Sequence, residues 1–356
     1  MLFKRLVIYL LLLLLLNLDT ALSAEEQSSY KEVILPPVAA VVPGSVLHGA
    51  GHFVAGERET AGELLLIEGV GLLMLAGSGY ILADGGAPRD YTGPLVPFAA
   101  FGVSFLVLPF IADFYGVTIG RYRSEGDWFT DKNKTVTLNA GLEYTNDPAF
   151  DYSLLAKAGF DYHYKRFVIS PMINSAIDDD TRHYQLSAKY RFAGQKGHLL
   201  ENYATFFKSD AIVRAGYYDF NSDGFYKYST DISFRTVINS GSLWKTTRGL
   251  YFVYEVGFNR EWVYFDFDET LPAITSNQIL FETGVGFLTG DLSDSKADIY
   301  LFYNHRRDTF YGGLPSGFLG HVGASVTVYP WQNTGISLKA VLGTASFYSL
   351  SGKLSF

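Results

Sequence analysis

The stretch VTLNAGLEYT, residues 136–145, alternates apolar with polar or small side chains without a break. An alternation of period two places the apolar side chains on one face of a β-strand and the polar ones on the other. The same pattern recurs in residues 185–192 and 226–235. Strands in soluble sheets are commonly about 5–6 residues long, whereas about ten alternating residues fit a tilted strand that crosses a bilayer. The pattern therefore predicts membrane-spanning strands.

Twelve runs of this kind follow one another, with ten or fourteen as alternative counts. The stretch 199–207 is not among them, because Leu199, Tyr203 and Phe207 are four residues apart, which predicts a short amphipathic helix in a connection. Since every backbone amide in lipid must be paired, the strands are expected to close into an antiparallel barrel. The runs are 135–145, 151–163, 165–175, 182–193, 211–220, 225–239, 249–265, 277–289, 297–308, 317–330, 333–343 and 345–356.

The composition of the chain excludes several classes of protein. Its 356 residues include no cysteine and 36 glycines, and 16% are aromatic and 18% charged, whereas about a quarter of residues are charged in ordinary soluble domains. These values exclude a disordered chain, a disulfide scaffold and cysteine chemistry. A net charge of −8 argues against a nucleic-acid partner, which would require a basic surface.

The first residues have the pattern of an export signal. Lys4 and Arg5 precede the aliphatic run 6–16, and Ala21-Leu22-Ser23 provides small residues where a signal peptidase cleaves. The apolar run is shorter than the ~20 residues of a membrane span but fits a secretory signal. We therefore expect a signal peptide over residues 1–23, with an uncleaved anchor helix as the alternative.

Residues 24–130 have a different pattern, in which apolar residues come in blocks. The blocks 61–83 and 95–111 are separated by a Gly-Gly-Ala-Pro turn, which predicts an apolar α-helical hairpin. Either block is long enough to span a membrane, but Glu63 and Glu68 interrupt the first and would be unfavourable in lipid. We expect the hairpin to plug the lumen or dock on the periplasmic side. The sequence does not decide whether lipid, protein or the lumen covers its apolar surface.

Two histidines stand in the glycine-rich segment 43–56, ahead of the first block. His48 and His52 are four residues apart, so on one helix they would share a face and could bind a metal ion. Because the sequence offers no third ligand, packing or surface placement is the favoured interpretation. We predict no metal and no cofactor.

The chain ends with YSLSGKLSF, in which Tyr348, Leu350, Leu354 and Phe356 fall on one face of a strand. This ending resembles the C-terminal strand of Gram-negative outer-membrane β-barrel proteins. The resemblance implies that these four residues form a signal for the barrel-assembly machinery. It also implies that the mature chain is a multi-pass protein of the outer membrane. No narrower family follows from these residues.

The densest polar cluster of the C-terminal half is His305, Arg306, Arg307 and Asp308, where a strand runs into a glycine-rich loop. The arginines could bind lipopolysaccharide phosphates through bidentate hydrogen bonds. Alternatively, they pair with the aspartate and hold the loop. We identify no catalytic residues, because the chain has neither a nucleophile elbow nor a His-x-Ser pair.

Together these patterns predict a signal peptide (1–23), a helical hairpin region (24–130) and a transmembrane β-barrel (131–356). The favoured function is transport, lipid handling or envelope organisation without covalent chemistry. One alternative is a lipid-modifying barrel hydrolase of the lipid A deacylase or phospholipase type. Another is a membrane-anchored adapter that binds a partner through the hairpin. The expected partners are outer-membrane lipid and lipopolysaccharide, the barrel-assembly machinery and an envelope protein.

Overall fold

The structure is a computed structural model in which two compact units form. The helical unit comprises residues 1–123 with 244–248, and the barrel unit comprises residues 124–243 with 249–356. The predicted signal peptide lies outside the described residues. The structure describes residues 33–84, 89–119, 135–146, 154–194, 207–220, 224–265, 272–289, 296–305, 320–331, 333–343 and 345–356.

Twelve antiparallel strands form one closed barrel, in which each strand pairs with its sequence neighbours and β1 pairs with β12. The predicted strand count and the predicted fold class are confirmed. The strands are β1 (Val136–Asn146), β2 (Leu154–Tyr164), β3 (Phe167–Ala176), β4 (Arg182–Ala193), β5 (Phe207–Phe220), β6 (Phe225–Asn239), β7 (Leu250–Phe265), β8 (Ile274–Thr289), β9 (Lys296–Asn304), β10 (His321–Trp331), β11 (Thr334–Leu342) and β12 (Ser346–Ser355).

The outer face of the barrel is apolar and the inner face is polar. In β1, Leu138, Leu142 and Tyr144 are each almost half exposed, while Glu143 between them is buried. A closed ladder pairs the backbone amides of every strand, and an apolar exterior suits a lipid surround. The transmembrane β-barrel predicted from the sequence is therefore confirmed.

Both chain ends of the barrel lie at the same end, where the last residue completes the ladder. The amide of Phe356 donates to Val136 O over 2.9 Å, and the amide of Thr135 donates to Phe356 O over 2.8 Å. Strand order places the tight turn at 165–166 at this end as well. His305 and Gly320, which follow β9 and precede β10, lie at the opposite end.

One local prediction is wrong. Phe207 begins β5 and pairs with Ile238 of β6, so it does not end a connecting helix; residues 199–206 lie outside the described residues. The cross-strand ladder determines the conformation of Phe207, although its spacing from Leu199 and Tyr203 is helical. Side chains four apart also lie on one face of a strand, which is why the spacing was misleading.

The helical unit contains two short helices, α1 (Leu35–Val41) and α2 (Ala50–Val54), and two long apolar ones, α3 (Arg58–Asp84) and α4 (Arg89–Thr118). The two long helices are as predicted, and both are long and apolar enough to cross a membrane. They pack closely where Gly71 meets Gly102. A Cβ on Gly71 would lie 2.8 Å from Gly102 O, so only glycine permits this approach.

Candidate functional site

The inner wall of the barrel is cross-linked at mid-height by one buried carboxylate. Glu255 on β7 accepts hydrogen bonds from Arg214 Nη2 at 2.8 Å, Ser233 Oγ at 2.7 Å and Arg235 Nη1 at 3.3 Å. Arg235 also lies 3.6 Å from Glu282. Charge-assisted hydrogen bonds of this kind are about twice as strong as neutral ones. The network therefore ties strands β5 to β8 together across the lumen wall.

Further polar pairs line the same face. Each joins side chains of neighbouring or next-neighbouring strands, which is the solvating and cross-linking role expected of a mixed-charge lumen. The pairs are Lys157 with Glu143, Arg191 with Asp210, Lys227 with Glu261, Tyr251 with Asp298, and Tyr300 with Glu282.

A cavity of about 230 Å³ opens at the barrel end opposite Phe356. Strands β1 to β5 and β9 to β12 supply its wall, because the polar side chains near one end of each strand point inward. We call it the mouth cavity. Its lining residues are Glu143, Lys157, Met172, Asn174, Gln185, Tyr218, Phe302, Asn304, His321, Lys339, Val341, Phe347 and Ser349.

A second cavity of about 260 Å³ lies deeper in the barrel, and we call it the inner cavity. It shares Met172, Gln185 and Tyr218 with the mouth cavity, so the two adjoin. Its charged lining residues are Asp161, Lys189, Arg214 and Asp231. The two cavities form a polar recess that runs from the mouth to the Arg214–Glu255 network.

Lys339 gives the mouth cavity a positive charge. Lys157, the other lysine there, pairs with Glu143. The ammonium of Lys339 instead lies over the ring of Phe302, 5.2 Å from its centroid. Within the described ranges, no carboxylate lies within 4.0 Å of Lys339. The mouth is therefore suited to attracting an anionic group.

The helical unit contains a second polar cluster, centred on two fully buried side chains. Asp113 on α4 accepts hydrogen bonds from the amides of Gly49, Gly51 and His52 at 2.9–3.0 Å. His52 Nδ1 lies 2.6 Å from the same carboxylate. On the other side of the ring, Nε2 lies 3.2 Å from Thr246 Oγ1. One carboxylate thus fixes both the N-terminal end of α2 and the orientation of the imidazole.

Residues 244–248, the part of the helical unit that follows β6 in the chain, make two further contacts with its helices. Trp244 Nε1 donates to Glu63 Oε2 over 2.5 Å, and Tyr115 OH donates to Arg248 O over 2.7 Å. Glu68, the other carboxylate of α3 singled out in the sequence, accepts from the amide of His48 at 3.0 Å. Both carboxylates therefore have structural partners inside the helical unit.

The histidine pair does not share a helix face. His52 lies in α2, whereas His48 precedes that helix. His48 faces Glu68, with Nδ1 at 3.5 Å, and His52 faces Asp113. Among the described residues, no group of three potential ligands could hold a metal ion.

The predicted ligand cluster is only partly within the described residues. His305 follows β9, where Tyr303 OH lies 2.8 Å from its Nδ1 and burial lowers the pKa of its imidazole. Arg306, Arg307 and Asp308 lie outside the described residues. Their binding to lipopolysaccharide phosphates stays a prediction.

The four predicted assembly residues lie on the outer face of the barrel. Tyr348, Leu350, Leu354 and Phe356 are 41–63% exposed, which is the placement that a terminal recognition strand requires. Recognition itself stays a prediction.

Sequence reasoning missed Asp113, Thr246 and the Glu255 network. Asp113 had a detectable signal, because a lone carboxylate inside an apolar helix must find a buried partner. Thr246 had none, since it lies 194 residues from His52 in the chain.

No family model and no curated protein matches the chain. Among solved structures it is similar to the "KdgM porin in complex with disordered oligogalacturonate", at 11% identity over 62% of this chain and 99% of that one, with a TM-score of 0.40. It is also similar to the translocator domain of autotransporter NalP from Neisseria meningitidis, at 9% identity over 63% of this chain and 87% of that one, with a TM-score of 0.40. The outer membrane protein Omp33 from Acinetobacter baumannii is similar at 10% identity over 63% of this chain and 98% of that one, with a TM-score of 0.33. At such identities the likeness concerns the fold alone.

Proposed function

We propose that the barrel passes small polar solutes across the outer membrane through its lumen. The observation that carries this proposal is the polar recess formed by the mouth cavity and the inner cavity. A barrel of eight strands is filled by its own side chains, whereas one of 16–18 strands leaves a wide aqueous channel. Twelve strands lie between these limits. A narrow, selective path is therefore the expected result.

The size of the recess favours solutes smaller than a typical drug. The two cavities measure about 230 and 260 Å³, below the ~300–1,000 Å³ of common ligand pockets. The charge of the mouth favours anions. Glu143 neutralises Lys157, whereas the ammonium of Lys339 lies over the ring of Phe302 and keeps its positive charge available to a solute. We infer a path for small neutral or anionic solutes.

Conductance of the purified protein in planar lipid bilayers tests this proposal. We expect discrete conductance steps, and a reversal potential in a KCl gradient that indicates preference for chloride. Lys339→Gln should reduce that preference, because it removes the mouth charge. Lys165→Gln is the matched control, because Lys165 lies in the turn after β2, at the end where Phe356 lies.

Two results would contradict the proposal. A folded barrel that gives neither conductance nor swelling of liposomes in small sugars would show that the lumen is closed. A reversal potential that responds equally to both lysine variants would show that the mouth charge does not select ions.

We also propose that lipid, rather than the polar lumen, covers the helix pair α3 and α4. The support is the distribution of polar groups within the helical unit. Glu68 and Asp113 are almost fully buried, whereas Leu66 and Leu73 are 68% and 74% exposed. Polar groups inside and leucines outside suit an apolar surround and would be unfavourable against a charged barrel wall.

Single-cysteine variants test this placement, and the cysteine-free chain needs no prior substitutions. A fluorophore such as NBD, attached at Leu66→Cys or Leu73→Cys in proteoliposomes, should emit at short wavelength and be quenched by spin-labelled lipid tails. Ser45→Cys is the control, since its hydroxyl is exposed and bonded only to the local Val42 carbonyl. Water-like emission at both leucine positions would refute a lipid surround.

A further inference from the structure

The cluster around His52 has the connectivity of a hydrolytic triad. A hydroxyl, an imidazole and a carboxylate stand in line, with Thr246 Oγ1 at 3.2 Å from Nε2 and Asp113 Oδ1 at 2.6 Å from Nδ1. This arrangement, in which a base within hydrogen-bond reach of a hydroxyl is itself oriented by a third group, is the signature of an activated nucleophile. Such triads are recognised by geometry and not by chain order.

We propose that Thr246, His52 and Asp113 form a catalytic site for hydrolysis of carboxylic esters with an apolar acyl chain. Asp113 holds the Nδ1 proton, so Nε2 is the basic nitrogen that faces the Thr246 hydroxyl. Three backbone amides donate to Asp113, which keeps its carboxylate ionised and fixed. The carboxylate therefore has no freedom to turn away from the ring.

Accessibility differs among the three groups as a catalytic site requires. Thr246 is partly exposed, whereas His52 and Asp113 are fully buried. Glu57 also faces the ring, with Oε2 at 3.7 Å from Nε2. Its negative charge stabilises the imidazolium that forms when His52 accepts a proton.

The proposed reaction has two balanced halves. Thr246 Oγ attacks the ester carbonyl while its proton passes to His52 Nε2. The acyl–oxygen bond to the alcohol then breaks, and the alcohol leaves with that proton. Water attacks the acyl-threonine, gives one proton to His52 and releases the carboxylic acid, and the proton returns to Thr246. No metal, oxidant or reductant takes part.

The apolar surroundings of the cluster indicate the substrate class. Phe53 and Val54 follow His52 directly on α2 and are 58% and 39% exposed. Exposed apolar side chains on the same helix as the proposed base favour an acyl chain over a sugar or a charged peptide. Esters dissolved in a lipid phase fit this description.

Labelling of the full chain in detergent micelles with a fluorophosphonate tests the proposal. The probe should modify the wild type at Thr246, as mapped by mass spectrometry, and the protein should hydrolyse p-nitrophenyl butyrate. Thr246→Ala should abolish labelling and lower the hydrolysis rate by about 10³-fold or more. Thr246→Ser keeps a hydroxyl at the same position and should retain both.

The adjacent Lys245→Ala is the matched control, because this exposed residue lies in the same turn and outside the cluster. Retention of the heat-modifiable barrel band shows that each variant is folded. The proposal is overturned if folded wild type is neither labelled nor active. It is equally overturned if Thr246→Ala hydrolyses the ester as fast as Lys245→Ala. Channel conductance is unaffected by either outcome, so this test is independent of the transport proposal.

Discussion

Replacing Gly116 with alanine should destabilise the helical unit, although alanine is the better helix former. Gly116 lies in the last turns of α4 and faces the imidazole of His52. A Cβ at this position would lie 2.5 Å from His52 Nε2 and 2.6 Å from Cε1. Because the ring is held at Nδ1 by Asp113, it cannot move aside without breaking that bond.

The expected size follows from three contributions. Loss of one hydrogen bond to a charged group costs about 1.5–3 kcal/mol, and overpacking of a tight site costs about 1–3 kcal/mol. The higher helix propensity of alanine stabilises the helix by about 1 kcal/mol relative to glycine. The net loss is therefore about 1.5–5 kcal/mol.

Hydrogen exchange followed by mass spectrometry on the full chain measures this loss locally. Amides of α2 should exchange about tenfold to several thousandfold faster in Gly116→Ala, since each 1.4 kcal/mol corresponds to a factor of ten. The matched control is Gly77→Ala on α3, where a Cβ would have no neighbour within 4 Å. That variant should exchange as slowly as the wild type or more slowly. Equal exchange in the two variants would refute the placement of the imidazole against α4.

Three further perturbations test other parts of the molecule. Deleting Phe356, or replacing it with Asp, should abolish the heat-modifiable folded band on unboiled gels, whereas Phe356→Tyr should preserve it; a folded band after deletion would exclude the terminal strand as the assembly signal. Replacing both Glu63 and Glu68 with leucine should trap the precursor in the inner membrane, because each carboxylate at mid-helix opposes membrane insertion by about 2.5–3.5 kcal/mol. Normal recovery of the variant in the outer-membrane fraction would show that these carboxylates have a structural role but no role in export. Glu255→Ala should lower the free energy of barrel unfolding by about 1.5–3 kcal/mol, because Arg214 and Arg235 then rely on their longer contacts with Asp231 and Glu282. Urea titration against Glu255→Gln measures this loss, and an unchanged midpoint would show that the network does not stabilise the barrel wall.

Alternation alone predicted the barrel because a strand that separates lipid from a polar lumen must alternate at nearly every position. The run 225–239 coincides with β6 for that reason. Several predicted strand ends differ by a few residues among the described ranges, and the assignment of Phe207 to a helix was wrong, because a spacing of four is shared by a helix face and a strand face. The two long helices were equally predictable, since their apolar runs need no tertiary information.

The polar clusters could not be predicted in the same way, because their members are distant in the chain. His52 meets Asp113 across 61 residues and Thr246 across 194. Periodicity reports which face a residue occupies, but not which residue faces it from another element. The pairing of Arg214 with Glu255 is a similar case, since the inward placement of both was predictable while the bond between them was not.

The membership of residues 244–248 in the helical unit has a consequence for the order of folding. Translation produces the four helices first, but the five residues that complete them are made more than a hundred residues later, between β6 and β7. Closing a loop of 194 residues costs about 5 kcal/mol of chain entropy. Pairing of β6 with β7 first confines these five residues to a short connection, and Trp244 can then contact Glu63 on α3. The helices, although synthesised before the barrel strands, are therefore among the last elements to reach their native contacts, because the helical unit is incomplete until β6 and β7 have paired.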